Sequence, residues 1–224
     1  SCAGVTLLHD RLQKANKTFL SFFISILIIT LGELTWIHCT YYQDTESLFL
    51  HTLKYNPSAW VAEYNVGVIQ EQKGKVNDAI THYEKAIELK KDYAEAYNNL
   101  GFIRMNEGNY PQAYKLYQKS LQSNPSLSVA HNNMAILLVK LDKKEEAISH
   151  YLIAIQIKPN YAEAYNNLAL LQVQLGKLDN AISNLTKAIE INPNYANAKY
   201  NLDLLITVKN ATQQKQTQST VTTR

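Results

Sequence analysis

The chain has 224 residues, of which 46% are hydrophobic and 18% charged, and its formal net charge is +3. This composition can build a sizeable core and excludes a disordered chain. Residues 60–209 are close to electrically neutral, so they lack the basic stripe that a nucleic-acid partner would need. The two cysteines, Cys2 and Cys39, match neither a disulfide framework nor a zinc-ligand spacing.

The first predicted element is a transmembrane helix over residues 18–38. This segment holds one charge, Glu33, within roughly the 20 residues that a helix needs to cross a bilayer. Residues 19–31 are apolar, Ser or Thr on every face, whereas a buried core helix would carry polar residues on one side. Trp36 and Tyr41 follow near the C-terminal end, where aromatic rings favour the headgroup layer.

The charges around this segment predict its orientation. Arg11, Lys14 and Lys17 precede it, whereas Lys54 is the only cation in the next seventeen residues. By the positive-inside rule, residues 1–17 are a cytoplasmic-side flank and the rest of the chain lies on the non-cytosolic side, in the ER lumen or periplasm. The chain begins without an initiator methionine, so we expect it to be part of something longer.

After the apolar segment, the sequence repeats with a period of 34 residues. The string YAEAYNNLG at 93–101 returns as YAEAYNNLA at 161–169, two periods later. The period divides the region 60–209 into four repeats, 60–93, 94–127, 128–161 and 162–195, and a C-terminal capping helix over about 196–209. Residues 44–57 have apolar side chains at helical spacing and end at Pro57 on the same grid, so they predict a half-repeat capping helix. Residues 210–224 are polar, lack apolar periodicity and are predicted to be disordered.

Small residues recur at fixed places in each repeat, where two helices must cross closely. They occupy the eighth position (Gly67, Gly101, Ala135, Ala169), the twentieth (Ala79, Ala113, Ala147, Ala181) and the twenty-seventh (Ala86, Ser120, Ala154, Ala188). This pattern resembles tetratricopeptide repeats. The resemblance implies an all-α, right-handed solenoid of helix pairs, here preceded by one transmembrane helix, which binds protein or extended peptide on its concave face.

The sixth position of every repeat and of the final helix is asparagine, which gives the column Asn65, Asn99, Asn133, Asn167 and Asn201. An amide group offers donors and an acceptor that match a peptide bond. The column resembles the repeat region of O-GlcNAc transferase, which implies that these five residues hold a substrate polypeptide. The predicted groove also includes neighbouring amides and apolar side chains, namely Asn98, Asn132, Asn166, Phe102, Ile136 and Leu170. The alternative is that the asparagines serve repeat packing or make local hydrogen bonds.

A second interpretation is a docking module for chaperone C-terminal carboxylates. In that subfamily the fifth and neighbouring concave positions carry Lys or Arg. Here the fifth position is Tyr64, Asn98 and Asn132 in the first three repeats, and at the thirteenth position only Lys140 is cationic. A carboxylate clamp is therefore not expected.

The junction of apolar segment and repeats, residues 41–67, resembles the C-terminal part of multispanning membrane glycosyltransferases with tetratricopeptide tails, such as transmembrane-and-tetratricopeptide O-mannosyltransferases. This resemblance implies a noncatalytic substrate-docking tail tethered to a membrane. The alternative is an independent membrane-anchored adaptor that assembles a protein complex. The histidines have no metal-ligand spacing, and no phosphate loop or nucleophile elbow is present, so we expect no catalysis, metal or cofactor in this chain.

Overall fold

The computed structural model describes residues 45–222, with side-chain surroundings up to residue 211. This part of the chain is all α-helical. Its helices are α1 (Thr45–Tyr55), α2 (Trp60–Gln72), α3 (Val76–Leu89), α4 (Ala94–Asn106), α5 (Tyr110–Ser123), α6 (Ser128–Lys140), α7 (Lys144–Ile157), α8 (Ala162–Gln174), α9 (Leu178–Ile191) and α10 (Ala196–Thr222).

Four antiparallel helix pairs form the body of the solenoid: α2 with α3, α4 with α5, α6 with α7, and α8 with α9. The second helix of each pair packs on the first helix of the next, and α4, α6 and α8 also contact one another in order. Each helix therefore buries its apolar side only against neighbours along the stack. The predicted all-α solenoid of helix pairs is confirmed.

The small residues allow the two helices of a pair to approach closely. Ala79 and Ala113 are fully buried, as are the Tyr83 and Tyr117 rings that fill the space between helices. A Cβ atom added to Gly67 would lie 2.7 Å from the Tyr83 ring. A larger residue at that point would push the helices apart or displace the ring.

The turn within each pair ends the first helix with a left-handed residue. Three of the four are glycines, Gly74 (φ 74°), Gly108 (φ 77°) and Gly176 (φ 71°), which adopt this conformation without a steric cost. The third repeat instead has Asp142 at φ 59°, in a region that side chains with a Cβ atom occupy at a cost.

The two ends of the solenoid are single helices. At the first end, α1 packs on α2, where the Gln70 amide donates to Glu46 Oε1 at 2.9 Å and Lys73 forms an ion pair with the same carboxylate. At the other end, α10 packs on α9, and Lys209 Nζ lies 2.6 Å from Asp179 Oδ1.

The last helix runs into the region 210–224, for which the sequence predicted a disordered tail. We predicted disorder from residue 210, whereas α10 continues to Thr222. Adding residues to an existing helix needs no new nucleus, and the Gln, Lys and Ala residues of this stretch favour helix, so the absence of an apolar face does not stop the helix.

The predicted flank 1–17 and transmembrane helix 18–38 lie outside the described residues. Between residues 45 and 222, no helix combines the length and the apolar character needed to cross a membrane.

Candidate functional site

The first helices of the repeats lie side by side and form one continuous surface, which we call the first-helix surface. It is made by α2, α4, α6, α8 and α10 and carries all the residues predicted to bind a partner. Phe102 and Leu170 are each 39% exposed on this surface. Ile136 belongs to the repeat between theirs and is half-buried. These three apolar side chains therefore occupy matching places in consecutive repeats.

Hydrogen bonds between repeats engage the asparagine column. In each case the amide nitrogen at the sixth position of one repeat donates to the oxygen at the fifth position of the repeat before it. The bonds run from Asn99 to Tyr64 (3.3 Å), Asn133 to Asn98 (3.0 Å), Asn167 to Asn132 (3.2 Å) and Asn201 to Asn166 (3.4 Å). The column thus joins successive repeats through hydrogen bonds between side chains that are 35 residues apart.

Bonds within the repeats extend this network. Asn98 donates to Asn99 Oδ1 at 3.1 Å, and Asn166 donates to Asn167 Oδ1 at 3.3 Å. The side chain of Asn99 also reaches the Tyr83 hydroxyl at 3.2 Å, so both of its N–H groups are used. At the start of the column, Asn65 donates to the Val61 carbonyl of its own helix at 2.7 Å. These residues have partners inside the protein.

The asparagines differ in what they can still offer a ligand. Asn98, Asn132 and Asn166 are at most 5% exposed, and Asn133 is 8% exposed, so they serve mainly as internal links. Asn167 is half-buried and makes one described bond through its amide nitrogen, which leaves its second N–H for another acceptor. Asn65 and Asn201 are likewise half-buried with one described bond from the amide nitrogen, so three members of the column can still offer an N–H group to a bound chain.

A cavity of about 260 Å³ opens on this surface between α6 and α8. It brings together three residues of the predicted site, Ile136, Asn167 and Leu170. The other lining residues are Val139, Lys140, Tyr151, Leu171 and Gln174. The cavity therefore combines aliphatic walls with two amide groups and contains no carboxylate among its lining residues.

The cationic residues around this cavity do not form a carboxylate clamp. Lys140 is the one cation in its lining, and the fifth-position residues Asn98, Asn132 and Asn166 are buried amides. A clamp needs at least two converging cations to hold a terminal carboxylate. Among the described residues, no group of three or more His, Cys, Asp and Glu side chains could hold a metal ion.

Sequence comparison gives two family matches along the repeats. A profile described as "TPR repeat" matches residues 67–108 and 137–176, and one described as "Tetratricopeptide repeat" matches residues 94–127 and 162–195. Together they cover more than half of the chain. The chain is a tetratricopeptide repeat protein.

Several solved structures share this fold. YrrB, described as a TPR protein with an unusual peptide-binding site, superposes with a TM-score of 0.57 at 23% identity over 72% of this chain and 84% of its own. PilF of Pseudomonas aeruginosa gives 0.64 at 24% identity over 68% of this chain and 70% of its own. The first TPR of Spaghetti (RPAP3), bound to the HSP90 peptide SRMEEVD, gives 0.50 at 24% identity over 52% of this chain and 92% of its own. No curated protein matches the sequence.

The predicted site of this tetratricopeptide protein did not include five residues that line the cavity, namely Val139, Lys140, Tyr151, Leu171 and Gln174. Val139, at the twelfth position of its repeat, lines the cavity but was not among the predicted site residues. The positions that face the groove in this family include the twelfth, so reading that position would have found it. Tyr151 is 2% exposed in the core and also forms part of the cavity wall.

Proposed function

We propose that this tetratricopeptide protein is a noncatalytic scaffold that holds an extended polypeptide along its first-helix surface. The observation that supports this proposal is the cavity between α6 and α8, where Leu170 and Ile136 lie beside the Asn167 amide. An extended chain alternates side chains with peptide groups. Aliphatic walls suit the side chains, and a second amide N–H suits a peptide carbonyl.

The composition of the surface favours an uncharged stretch of polypeptide. The cavity has no carboxylate in its lining and one cation, Lys140, which is exposed at its edge. YrrB and the RPAP3 domain, which share the fold, are described with a peptide-binding site and with a bound peptide. The HSP90 peptide SRMEEVD carries acidic residues, and the surface proposed here lacks the converging cations that would hold such a sequence.

Site-specific photo-crosslinking tests this proposal. A photoreactive amino acid replaces Leu170 in the full chain, and a matched variant carries it at Leu152, which is 52% exposed on α7 rather than on a first helix. Irradiation in the native cell should trap a polypeptide at position 170 and not at position 152. Asn167→Ala should lower the yield at 170 by about fivefold, because one hydrogen bond contributes about 1 kcal/mol. Equal trapping at 170 and 152 would contradict the proposal.

We also propose that the protein is attached to a membrane. Residues 18–38 would tether the solenoid, with the repeats on the non-cytosolic side and the chain acting as the substrate-docking tail of a glycosyltransferase-like membrane protein. The basis for this part is the apolar segment and the positive residues before it, both read from the sequence. A tail of this kind would raise the concentration of acceptor polypeptide near an active site.

Protease protection in sealed vesicles of known orientation tests the setting separately. Repeats on the non-cytosolic side should resist a protease added to the cytosolic face until detergent opens the vesicles. Digestion before detergent would overturn the non-cytosolic placement and leave a membrane-tethered adaptor on the cytosolic side. Recovery of the repeats in the supernatant after an alkaline carbonate wash would contradict the tether itself.

A further inference from the structure

A second pocket lies away from the first-helix surface, at the junction of the second and third repeats. We call it the tyrosine pocket. It has a volume of about 480 Å³ and is lined by Tyr110, Pro111, Tyr114, Lys115, Gln118, Leu141 and Lys143. It shares no lining residue with the cavity between α6 and α8. It is formed by the N-terminal half of α5 and the turn that joins α6 to α7.

Two local features hold this pocket open. On one side, the Asn109 side chain caps α5 by accepting a hydrogen bond from the Gln112 backbone N–H at 3.3 Å, and Pro111 lies in the first turn. On the other side, the turn passes through Asp142 in its left-handed conformation, which leaves the preceding Leu141 side chain 38% exposed. The exposed Leu141 side chain leaves the apolar part of the pocket open to solvent.

The charged groups of the pocket are cationic. Lys115 and Lys143 lie in its lining, which contains no carboxylate. Lys115 makes no ion pair with any residue from 45 to 211. Lys143 Nζ lies 3.1 Å from Glu146 Oε1, but both side chains are about half exposed, so this pair is weak and can be exchanged for a ligand carboxylate. Lys143 also lies 5.9 Å from the centre of the Tyr114 ring.

The same junction in the other repeats lacks this chemistry. The second repeat has Tyr110 and Tyr114 at its seventeenth and twenty-first positions. At these two positions the other repeats have aliphatic or lysine side chains, namely Val76, Ile80, Lys144, Ile148, Leu178 and Ile182. The position of Pro111 is taken by Glu145 and Asp179 in the third and fourth repeats, and these would repel an acidic ligand. The pocket therefore belongs to one junction and is not a general property of the repeat.

We propose that the tyrosine pocket binds an acidic peptide segment of a partner protein, with an aromatic side chain between two carboxylates. The aromatic ring packs against Tyr110, Tyr114 and Leu141, where edge-to-face contacts with tyrosine are favourable. The flanking carboxylates pair with Lys115 and Lys143. The pocket volume is within the range of pockets that enclose a small ligand, so it accommodates one large side chain and its neighbours. The last fifteen residues of this chain contain no acidic residue, so they do not match this ligand.

Fluorescence polarisation tests the proposal with the full chain and a short labelled peptide that contains Asp-Phe-Glu. Two control peptides contain Lys-Phe-Lys, which reverses the charge, and Asp-Ala-Glu, which removes the ring. We expect saturable binding of the first peptide, at least tenfold weaker binding of each control, and weaker binding at higher salt. No binding of Asp-Phe-Glu, or equal binding of all three peptides, would overturn the proposal.

Substitutions then locate the site. Lys115→Gln combined with Lys143→Gln should weaken binding at least tenfold, and since both side chains are exposed the fold should be unchanged by circular dichroism. The matched control is Lys177→Gln, which removes a cation at the place equivalent to Lys143 in the next repeat and should change affinity less than twofold. Equal losses in the two variants would show a general charge effect and contradict the assignment. Leu170→Ala should leave this binding unchanged, which separates it from the first-helix surface.

Discussion

The first and third repeats have the same backbone but different polar chemistry at equivalent positions. In the first repeat, Glu63 is 1% exposed, and its carboxylate lies 2.7 Å from His82 Nδ1 and 2.5 Å from Lys85 Nζ. In the third repeat, the places of Glu63 and His82 are taken by His131 and His150, whose Nδ1 atoms lie 2.9 Å apart. Both pairs are separated by 19 residues.

This comparison shows that the repeat backbone sets the distance between two side chains but does not determine whether those side chains are charged. His131 donates from Nε2 to the Pro125 carbonyl at 3.0 Å, so its Nδ1 accepts the N–H of a neutral His150. The third repeat thus joins two neutral imidazoles, whereas in the first repeat a buried carboxylate pairs with Lys85, whose side chain is half exposed. A buried charge is costly without its partners, so the first repeat should be the more sensitive of the two to substitution.

The largest effect that we expect comes from removing the partners of Glu63. His82→Leu combined with Lys85→Ala leaves a carboxylate buried without a counter-charge, which should lower the free energy of unfolding by about 3 kcal/mol. Urea denaturation measures this loss. Adding Glu63→Tyr to the two substitutions copies the Tyr97 and Leu116 pair of the second repeat and should restore most of the stability. A triple variant as unstable as the double one would contradict the buried-charge explanation.

A pH-dependent effect of intermediate size should come from the third repeat. Burial lowers the pKa of His131 and of His150 below the usual value of about 6.5. For a base with a lowered pKa in the folded state, the unfolded chain takes up protons first as the pH falls. The contribution of the neutral histidine pair to the free energy of unfolding is therefore complete above about pH 6.5. It is lost as the pH falls through the folded-state pKa values.

Urea denaturation at pH 7.5 and pH 5 measures this dependence. His131→Tyr combined with His150→Leu, again copied from the second repeat, should lose less stability between the two pH values than the unaltered protein does. Acidic residues titrate in both proteins and cancel in the comparison. An identical pH dependence in both would show that the histidine pair contributes nothing to it.

The smallest effect concerns the turn of the third repeat. Asp142→Gly should raise the free energy of unfolding by about 1 kcal/mol, because glycine adopts the left-handed conformation without a steric cost. The Asp142 side chain is 84% exposed, and within residues 45–211 its ion pair is with Lys144, so little is lost in exchange. The reciprocal Gly74→Asp in the first repeat should lower stability by a similar amount, because an added Cβ atom there meets nothing within 4 Å and only the backbone conformation matters. In thermal unfolding we expect a gain in stability for Asp142→Gly and a loss of stability for Gly74→Asp.

Much of this architecture could be predicted from the sequence because each repeat specifies itself locally. Glycine, or Asp142 in the third repeat, ends each first helix, and proline follows the second helix in three of the four repeats. A small residue such as Gly67 packs against a large one such as Tyr83. The role of the asparagines could not be predicted in the same way. Asn133 and Asn98 are 35 residues apart, and their bond depends on how one helix pair is offset from the next, which no local pattern records.

The sequence by itself determined the period, the helix pairs and the column of amides, because these follow from residues that act within a few turns of their own helix. Only the tertiary structure decided which amides are used between repeats, that Asn167 keeps an N–H beside an aliphatic cavity, and that Tyr110 and Leu141 form one pocket from two repeats. The physical reason is that these features arise where neighbouring repeats meet, and the relative placement of two packed helix pairs depends on all of their contacting side chains together.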